Sequence, residues 1–165
     1  MKKKIMFLCH GNICRSPMAE YVMKDLVRRE GLENDYEITS GAVSDEEWGN
    51  PIYPPALRVL NENGIPSGKH SAHKISPREF EESDLVVVMD RSNMRRLAGI
   101  VGDFSSVPAG EALAGSGVEG KVHLLMEFAG EFSDVADPWY TGDFAKTFRN
   151  VMCGCRGLLE KTDGK

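Results

Sequence analysis

An unbroken apolar run, Ile5-Met6-Phe7-Leu8-Cys9, leads directly into His10-Gly11-Asn12-Ile13-Cys14-Arg15-Ser16-Pro17. A strand over Lys4–Cys9 with no polar face after its first residue must be covered on both sides, which is the condition of a parallel sheet flanked by helices. From Ser16 the pattern turns helical. Pro17 suits the first helical position, Met18/Val22/Leu26 and Ala19/Met23/Val27 form adjacent stripes at i+4 spacing, and Gly31 closes the helix. Strand, glycine-containing loop and helix in that order point backbone N–H groups and the positive end of a helix at one spot. A phosphate is the expected occupant, bound by His10, Gly11, Asn12, Ile13, Cys14 and Arg15.

The residue types in the loop extend that cradle to chemistry. Cys9 sits beneath it, where the inward N–H groups, the helix end and Arg15 favour the thiolate, the nucleophilic form of a cysteine. Arg15 carries a planar fork that holds two phosphoryl oxygens at once, which lysine cannot do. Ser16 offers a hydroxyl hydrogen to the sulfur when it leaves in a second step. A lone cysteine at a strand end is ordinarily a small buried hydrophobe. Cys, Gly, Arg and Ser at these offsets on a strand-to-helix turn make a functional loop instead.

The rest of the chain repeats the alternation of an α/β fold. Strands are expected at Tyr36–Ser40, Leu85–Met89 and Lys121–Met126. Helices are expected at Pro54–Asn63, after the Ser76 cap, from Asp90 to Leu97, and over Gly142–Lys161. Gly102–Gly120, with five glycines and a proline, reads as a mobile surface loop. At 165 residues the chain has the length of one domain, at roughly 150 residues each, so a single unit over 1–165 is expected. Hydrophobic residues at 41% and charged residues at 27% exclude a disordered chain, a collagen or a disulfide miniprotein.

Charge and cysteine usage narrow the partners. A net charge of -5 argues against nucleic acid, whose phosphates need a basic face. Residues 1–30 carry seven Lys/Arg against three Asp/Glu, whereas 31–50 carry six acids and no base, which places an anion site near the start of the chain. The early apolar run is shorter than the roughly 7–15 residues of a leader core or the ~20 of a membrane span, so neither export nor membrane insertion is expected. Cysteines lie only at 9, 14, 153 and 155, which reads as a reducing, cytoplasmic setting. Cys153 and Cys155 fall on different sides of the last helix, and both read as structural. His10, His70, His73 and His123 lack zinc-site spacing, so no metal and no other cofactor is expected.

With these residues in view, the chain resembles a low-molecular-weight protein tyrosine phosphatase. That family's loop of Cys, any residue, Gly-Asn, any residue, Cys-Arg-Ser-Pro is matched in full by Cys9–Pro17, and its Asp-Pro-aromatic-aromatic segment by Asp137-Pro138-Trp139-Tyr140. Further matches at Gly49-Asn50-Pro51, Gly64-Ile65-Pro66, Met89-Asp90 and Cys155-Arg156 extend the resemblance over nearly the whole chain. It implies a four-stranded parallel sheet in order 2-1-3-4 with helices on both faces and the phosphate loop after the first strand. It also implies hydrolysis of phosphotyrosine in proteins or peptides through a phosphocysteine, releasing inorganic phosphate, by a monomer.

In that scheme Cys9 attacks, Arg15 clamps and Asp137 protonates the leaving oxygen. An aspartate beside apolar rings and an incoming dianion keeps its proton more readily, which suits the role independently of the family. The resemblance further assigns Asn12, Ser40 and His70 to a network supporting the loop, Trp48 and Asn50 to the rim, and Trp139 and Tyr140 to the walls. Ile13 is expected to face the substrate ring. Cys14 is implied to form a protective disulfide with Cys9, with simple packing as the alternative. Trp48 stands where the family often has an aliphatic residue, and Trp139 where it has tyrosine.

Three rivals remain on the sequence. Arsenate reduction on this fold relays oxidation through further cysteines, and none lies between residues 14 and 153. Phosphoarginine hydrolysis is associated with threonine where Ile13 stands. A non-catalytic phosphate-binding module would need neither Cys9 nor Asp137.

Overall fold

The computed structural model describes residues 1–164. Four strands, β1 (Lys3–Cys9), β2 (Tyr36–Ala42), β3 (Leu85–Val88) and β4 (Val122–Leu124), pair in the order β2-β1-β3-β4 with every pairing parallel. Six helices surround them: α1 (Arg15–Arg29), α2 (Pro54–Glu62), α3 (Pro77–Glu82), α4 (Arg91–Val101), α5 (Pro138–Thr141) and α6 (Phe144–Thr162). This is the all-parallel 2-1-3-4 sheet that the resemblance implies.

Strand periodicity divides the core into two layers. Ile5, Phe7 and Cys9 of β1 join Leu85, Val87 and Met89 in one cluster, with the buried stripes of α1 and α6. Met6 and Leu8 point the other way and join Val86, Val88, Phe80 and Leu97. Cys9 therefore ends the central strand on the α1 side, where its side chain faces the start of that helix. Helix starts follow their caps. Ser76 and Glu79 form a reciprocal capping box on α3, and Asp90 and Asn93 do the same on α4.

Three elements differ from the sequence expectation. The fourth strand stops at Leu124, and Leu125–Ala129 forms a 3-10 turn instead of continuing it. Glu127 causes the reversal, since its carboxylate reaches back to the Leu124 N–H at 3.4 Å and lies 2.7 Å from His123 Nδ1. That turn packs so closely on α6 that a Cβ at Gly157 would stand 1.8 Å from the Phe128 carbonyl oxygen. Gly102–Gly120 is not a loose loop: it holds a 3-10 turn at Glu111–Leu113 with Leu113 buried, and Ala109 and Gly110 donate to Glu119 and Asp84. The last helical stretch begins at Phe144 with Asp143 as cap, separated from α5 by Gly142 in the left-handed region at φ 72°. On α6, Cys155 is buried as expected of a structural thiol, whereas Cys153 is exposed. No helix among the described residues is long and apolar enough to cross a membrane.

Candidate active site

The turn between β1 and α1 wraps around the Cys9 sulfur. The Asn12 backbone N–H donates to Cys9 Sγ at 3.3 Å, and Ser16 Oγ lies 3.0 Å from it. Cys9 is 3% exposed, so the sulfur is reached through the mouth of the loop alone. Glu47 lies close over the loop, so that a Cβ at Gly11 would stand 3.1 Å from its Cγ and push that side chain aside.

Asn12 shapes the turn. It is the only non-glycine residue at positive φ among the described residues, at 62°, a conformation asparagine tolerates better than most side chains. Its two amide hydrogens are both used, on Ser16 Oγ at 2.8 Å and Ser40 Oγ at 3.0 Å. Its Oδ1 accepts from the His73 N–H at 3.3 Å, and its carbonyl oxygen lies 2.6 Å from His70 Nε2. These assignments fix the direction of the hydroxyl protons. Ser40 must donate onward, to the Glu20 carboxylate at 2.6 Å. Ser16 has one proton for two acceptors, Cys9 Sγ at 3.0 Å and the Gly41 carbonyl at 3.3 Å.

Arg15 is 2% exposed and is held in a fixed direction. Its Nη1 donates to Asp90 Oδ2 at 2.6 Å and to the Val135 carbonyl at 2.9 Å, and its Nη2 reaches Asp137 Oδ2 at 3.4 Å. Burial opposes its charge, and the neighbouring Cys9, Asp90 and Asp137 outweigh burial, so the guanidinium is held charged more firmly than usual. Asp137 is also the cap of α5, its Oδ1 accepting from the Trp139 N–H at 3.0 Å. Cys9, Arg15 and Asp137 thus face one cleft of about 220 Å³, walled by Ile13, Trp139 and Tyr140.

The sequence-predicted residues sort into three positions. His10, Gly11, Ile13 and Cys14 line the cleft with the central trio, whereas Asn12, Ser16, Ser40 and His70 lie behind the loop as its support. Trp48 and Asn50, expected at the rim, lie outside the cleft lining itself, just after Glu47 in the chain, which is part of it. Trp48 stands edge-on to His73, with centroids 6.4 Å apart, and Asn50 donates to Glu47 at 2.6 Å. Glu46 and Glu47 take the place at the wall, and Glu46 lies 2.9 Å from His10 Nε2. The Cys14 thiol is pushed up to about 12 by burial and then by the Cys9 and Asp137 charges, which makes it a protonated neighbour of Cys9.

Several contributors escaped the sequence reading. Asp90 was legible as a helix cap, yet nothing in its spacing shows that its second oxygen takes Arg15. Tyr53 sits between the loop and the aromatic wall: its N–H donates to the Ile13 carbonyl at 2.8 Å and its ring packs on Trp139 at 4.9 Å between centroids. Glu20 was one of several charged positions on an amphipathic helix. Its near-complete burial, at 8% exposure, becomes a signal only once Ser40 is placed beside it.

Comparison with known proteins identifies the family and the fold. The profile of the low molecular weight phosphotyrosine protein phosphatase family matches residues 4–165. The low molecular weight phosphotyrosine protein phosphatase of Sus scrofa is 34% identical over 161 residues, covering 96% of this chain and 95% of that protein. The crystal structure of YfkJ from Bacillus subtilis superposes with a TM-score of 0.82 at 29% identity, covering 97% of this chain and 94% of that one. A Drosophila arginine phosphatase structure superposes with a TM-score of 0.77 at 25% identity, covering 97% and 96% of the two chains.

Proposed function

The chain belongs to the low molecular weight phosphotyrosine protein phosphatase family, and we propose that it hydrolyses phosphotyrosine in proteins or peptides through a phosphocysteine on Cys9. The observation that carries this reading is the Cys9 sulfur at the base of its loop, with the Asn12 N–H and the Ser16 hydroxyl aimed at it and Arg15 and Asp137 on one side. Cys9 attacks phosphorus, forming the S–P bond as the P–O bond to the phenol breaks. Arg15 and the loop N–H groups hold the equatorial oxygens, and Asp137 delivers a proton to the departing oxygen. Water then attacks the phosphocysteine with Asp137 taking its proton, the S–P bond breaks, and Ser16 donates to the sulfur that leaves. Inorganic phosphate is released.

Walls of Ile13, Trp139 and Tyr140 suit a flat phenyl ring. A second reading, phosphoarginine, draws on Glu46 and Glu47 in the same wall, which offer acceptors to a guanidinium, and on the Drosophila relative. The deciding experiment is kcat/KM for matched phosphotyrosine, phosphoarginine and phosphoserine peptides in the presence of a chelator. Phosphotyrosine is expected to be preferred by at least ~100-fold, from about 1–2 kcal/mol of ring burial and a comparable desolvation cost for the guanidinium. A preference for phosphoarginine overturns the tyrosine reading. The proposal includes action as a monomer in the cytoplasm, which light scattering and localisation of the tagged protein test.

A further inference from the structure

The segment leading to Asp137 is held at its stem by a residue that the proposed chemistry does not use. Arg91 is the first residue of α4, directly after Asp90. Its backbone N–H and its Nη1 both donate to Asp134 Oδ1, each at 3.2 Å, and its Nη2 donates to the Phe132 carbonyl at 2.6 Å. That N–H is one of the donors a helix leaves unpaired in its first turn, so the Asp134 carboxylate meets a helix end and a guanidinium together.

From Asp134 onward the chain is fixed residue by residue. Val135 is buried, its N–H donating to the Met89 carbonyl at 2.8 Å and its carbonyl accepting from Arg15 at 2.9 Å. The Ala136 carbonyl accepts from Thr147 Oγ1 at 3.4 Å. Before Val135 the situation differs: the Phe132 ring is 78% exposed, so ring packing does not anchor the segment, and the bonds from Arg91 do. Adjacent residues of one helix turn therefore hold the two functional groups in register, Asp90 the clamp Arg15 and Arg91 the stem of the acid loop.

We infer that Arg91 is a positioning residue for proton transfer by Asp137, acting through Asp134 and Phe132; the inference rests on Asp137 being the acid. The pair is about half exposed, 53% and 43% for the two side chains, so its loss affects stability little. Proton transfer is more sensitive, because a displacement of an ångström at a reacting group can cost on the order of 10²-fold.

The test is kcat/KM for phenyl phosphate, whose leaving oxygen needs a proton, against 4-nitrophenyl phosphate, whose phenolate leaves readily. Arg91→Ala is expected to lower the first about tenfold and the second less than about twofold. Asp134→Ala should reproduce this, the double variant should be no worse than either single one, and Arg91→Lys, which lacks the fork, should fall between. In an Asp137→Asn background, Arg91→Ala should add nothing. Equal losses on both esters, an unchanged phenyl phosphate rate, or a further loss in the Asp137→Asn background overturns the inference. A wild-type protein inactive on both esters overturns the phosphatase reading with it, whereas an active one indifferent to Arg91 overturns this inference alone.

Discussion

The Asp90 carboxylate joins two structures with its two oxygens: Oδ1 accepts from the Asn93 N–H at 2.8 Å to cap α4, and Oδ2 accepts from Arg15 at 2.6 Å. Capping makes the carboxylate rigid, and the rigid carboxylate aims the guanidinium across the loop. The direction of the Arg15 guanidinium is therefore set by a helix start 75 residues further along the chain.

Asp90→Asn separates the two duties. Asparagine caps a helix about as well as aspartate, so α4 keeps its start while Arg15 loses the nearer of its two ionic partners. Competitive inhibition by inorganic phosphate is expected to weaken about tenfold, from a lost charge-assisted bond of about 1.5–3 kcal/mol. Asp90→Ala should in addition lose about 1 kcal/mol of stability with the cap. Unchanged phosphate inhibition in Asp90→Asn contradicts this role.

Asn12 combines a left-handed backbone with a side chain that supports Ser16 and Ser40, and two substitutions separate these contributions. Asn12→Gly keeps the backbone and loses the side chain; Asn12→Ala loses both. Activity is expected to fall in each. Thermal stability should fall further in Asn12→Ala, by about 1–2 kcal/mol for an alanine in that conformation. Equal melting temperatures for the two variants contradict the backbone argument.

Cys14 gives a pH dependence with a definite sign. Burial and the nearby charges raise its folded value to about 12 from 9.0, so between these limits the unfolded chain releases a proton that the folded protein keeps. The stability contribution is complete below about pH 9 and is lost as pH rises toward about 12, at no more than about 1.4 kcal/mol per unit. Burial pushes Cys155 in the same direction. Urea midpoints at about pH 8 and about pH 10.5 should fall less steeply in Cys14→Ala than in the wild type, and parallel falls contradict the account. Under peroxide, a sulfenic acid on Cys9 should condense with the Cys14 thiol to a disulfide and water, which thiols reduce; in Cys14→Ser a second peroxide should carry it to the sulfinic acid, which thiols do not reduce.

Ile13 is the loop residue proposed to meet the substrate ring. Its buried side chain lines the cleft, and its carbonyl is tied to Tyr53, which in turn packs on Trp139. Ile13→Thr supplies a hydroxyl acceptor and removes a methyl contact, so the phosphotyrosine-to-phosphoarginine ratio of kcat/KM should narrow about tenfold. A ratio that stays constant places the selectivity elsewhere in the wall.

What the sequence made legible was local. An apolar strand, a glycine turn and a proline-started helix are short-range signals, and they located Cys9, Gly11, Arg15 and Ser16 on one loop. Asp137 was legible through the resemblance, which matches its Asp-Pro-aromatic-aromatic segment. The partners of those residues were not legible, since Asp90, Tyr53 and Glu20 act across folded distances and look like an ordinary cap, ring and helix-face acid in the chain. The fourth strand was over-extended for a related reason: Leu125 and Met126 are apolar because they are buried, and burial alone does not distinguish a strand from a 3-10 turn pressed against Gly154 and Gly157. The surroundings of Trp48 and Asn50 were not legible either, since the edge-on contact with His73 and the bond to the cleft residue Glu47 form only in the folded chain.

Rapid quench into denaturant followed by peptide mass spectrometry shows whether the Cys9 sulfur carries the phosphoryl group. During turnover of a phosphotyrosine peptide, one phosphoryl group is expected on the peptide containing Cys9. It should be absent from Cys9→Ser, which should still bind inorganic phosphate because the loop N–H groups and Arg15 remain. Turnover with no phosphorylated Cys9, or a Cys9→Ser variant retaining about a tenth of wild-type activity, would contradict the account.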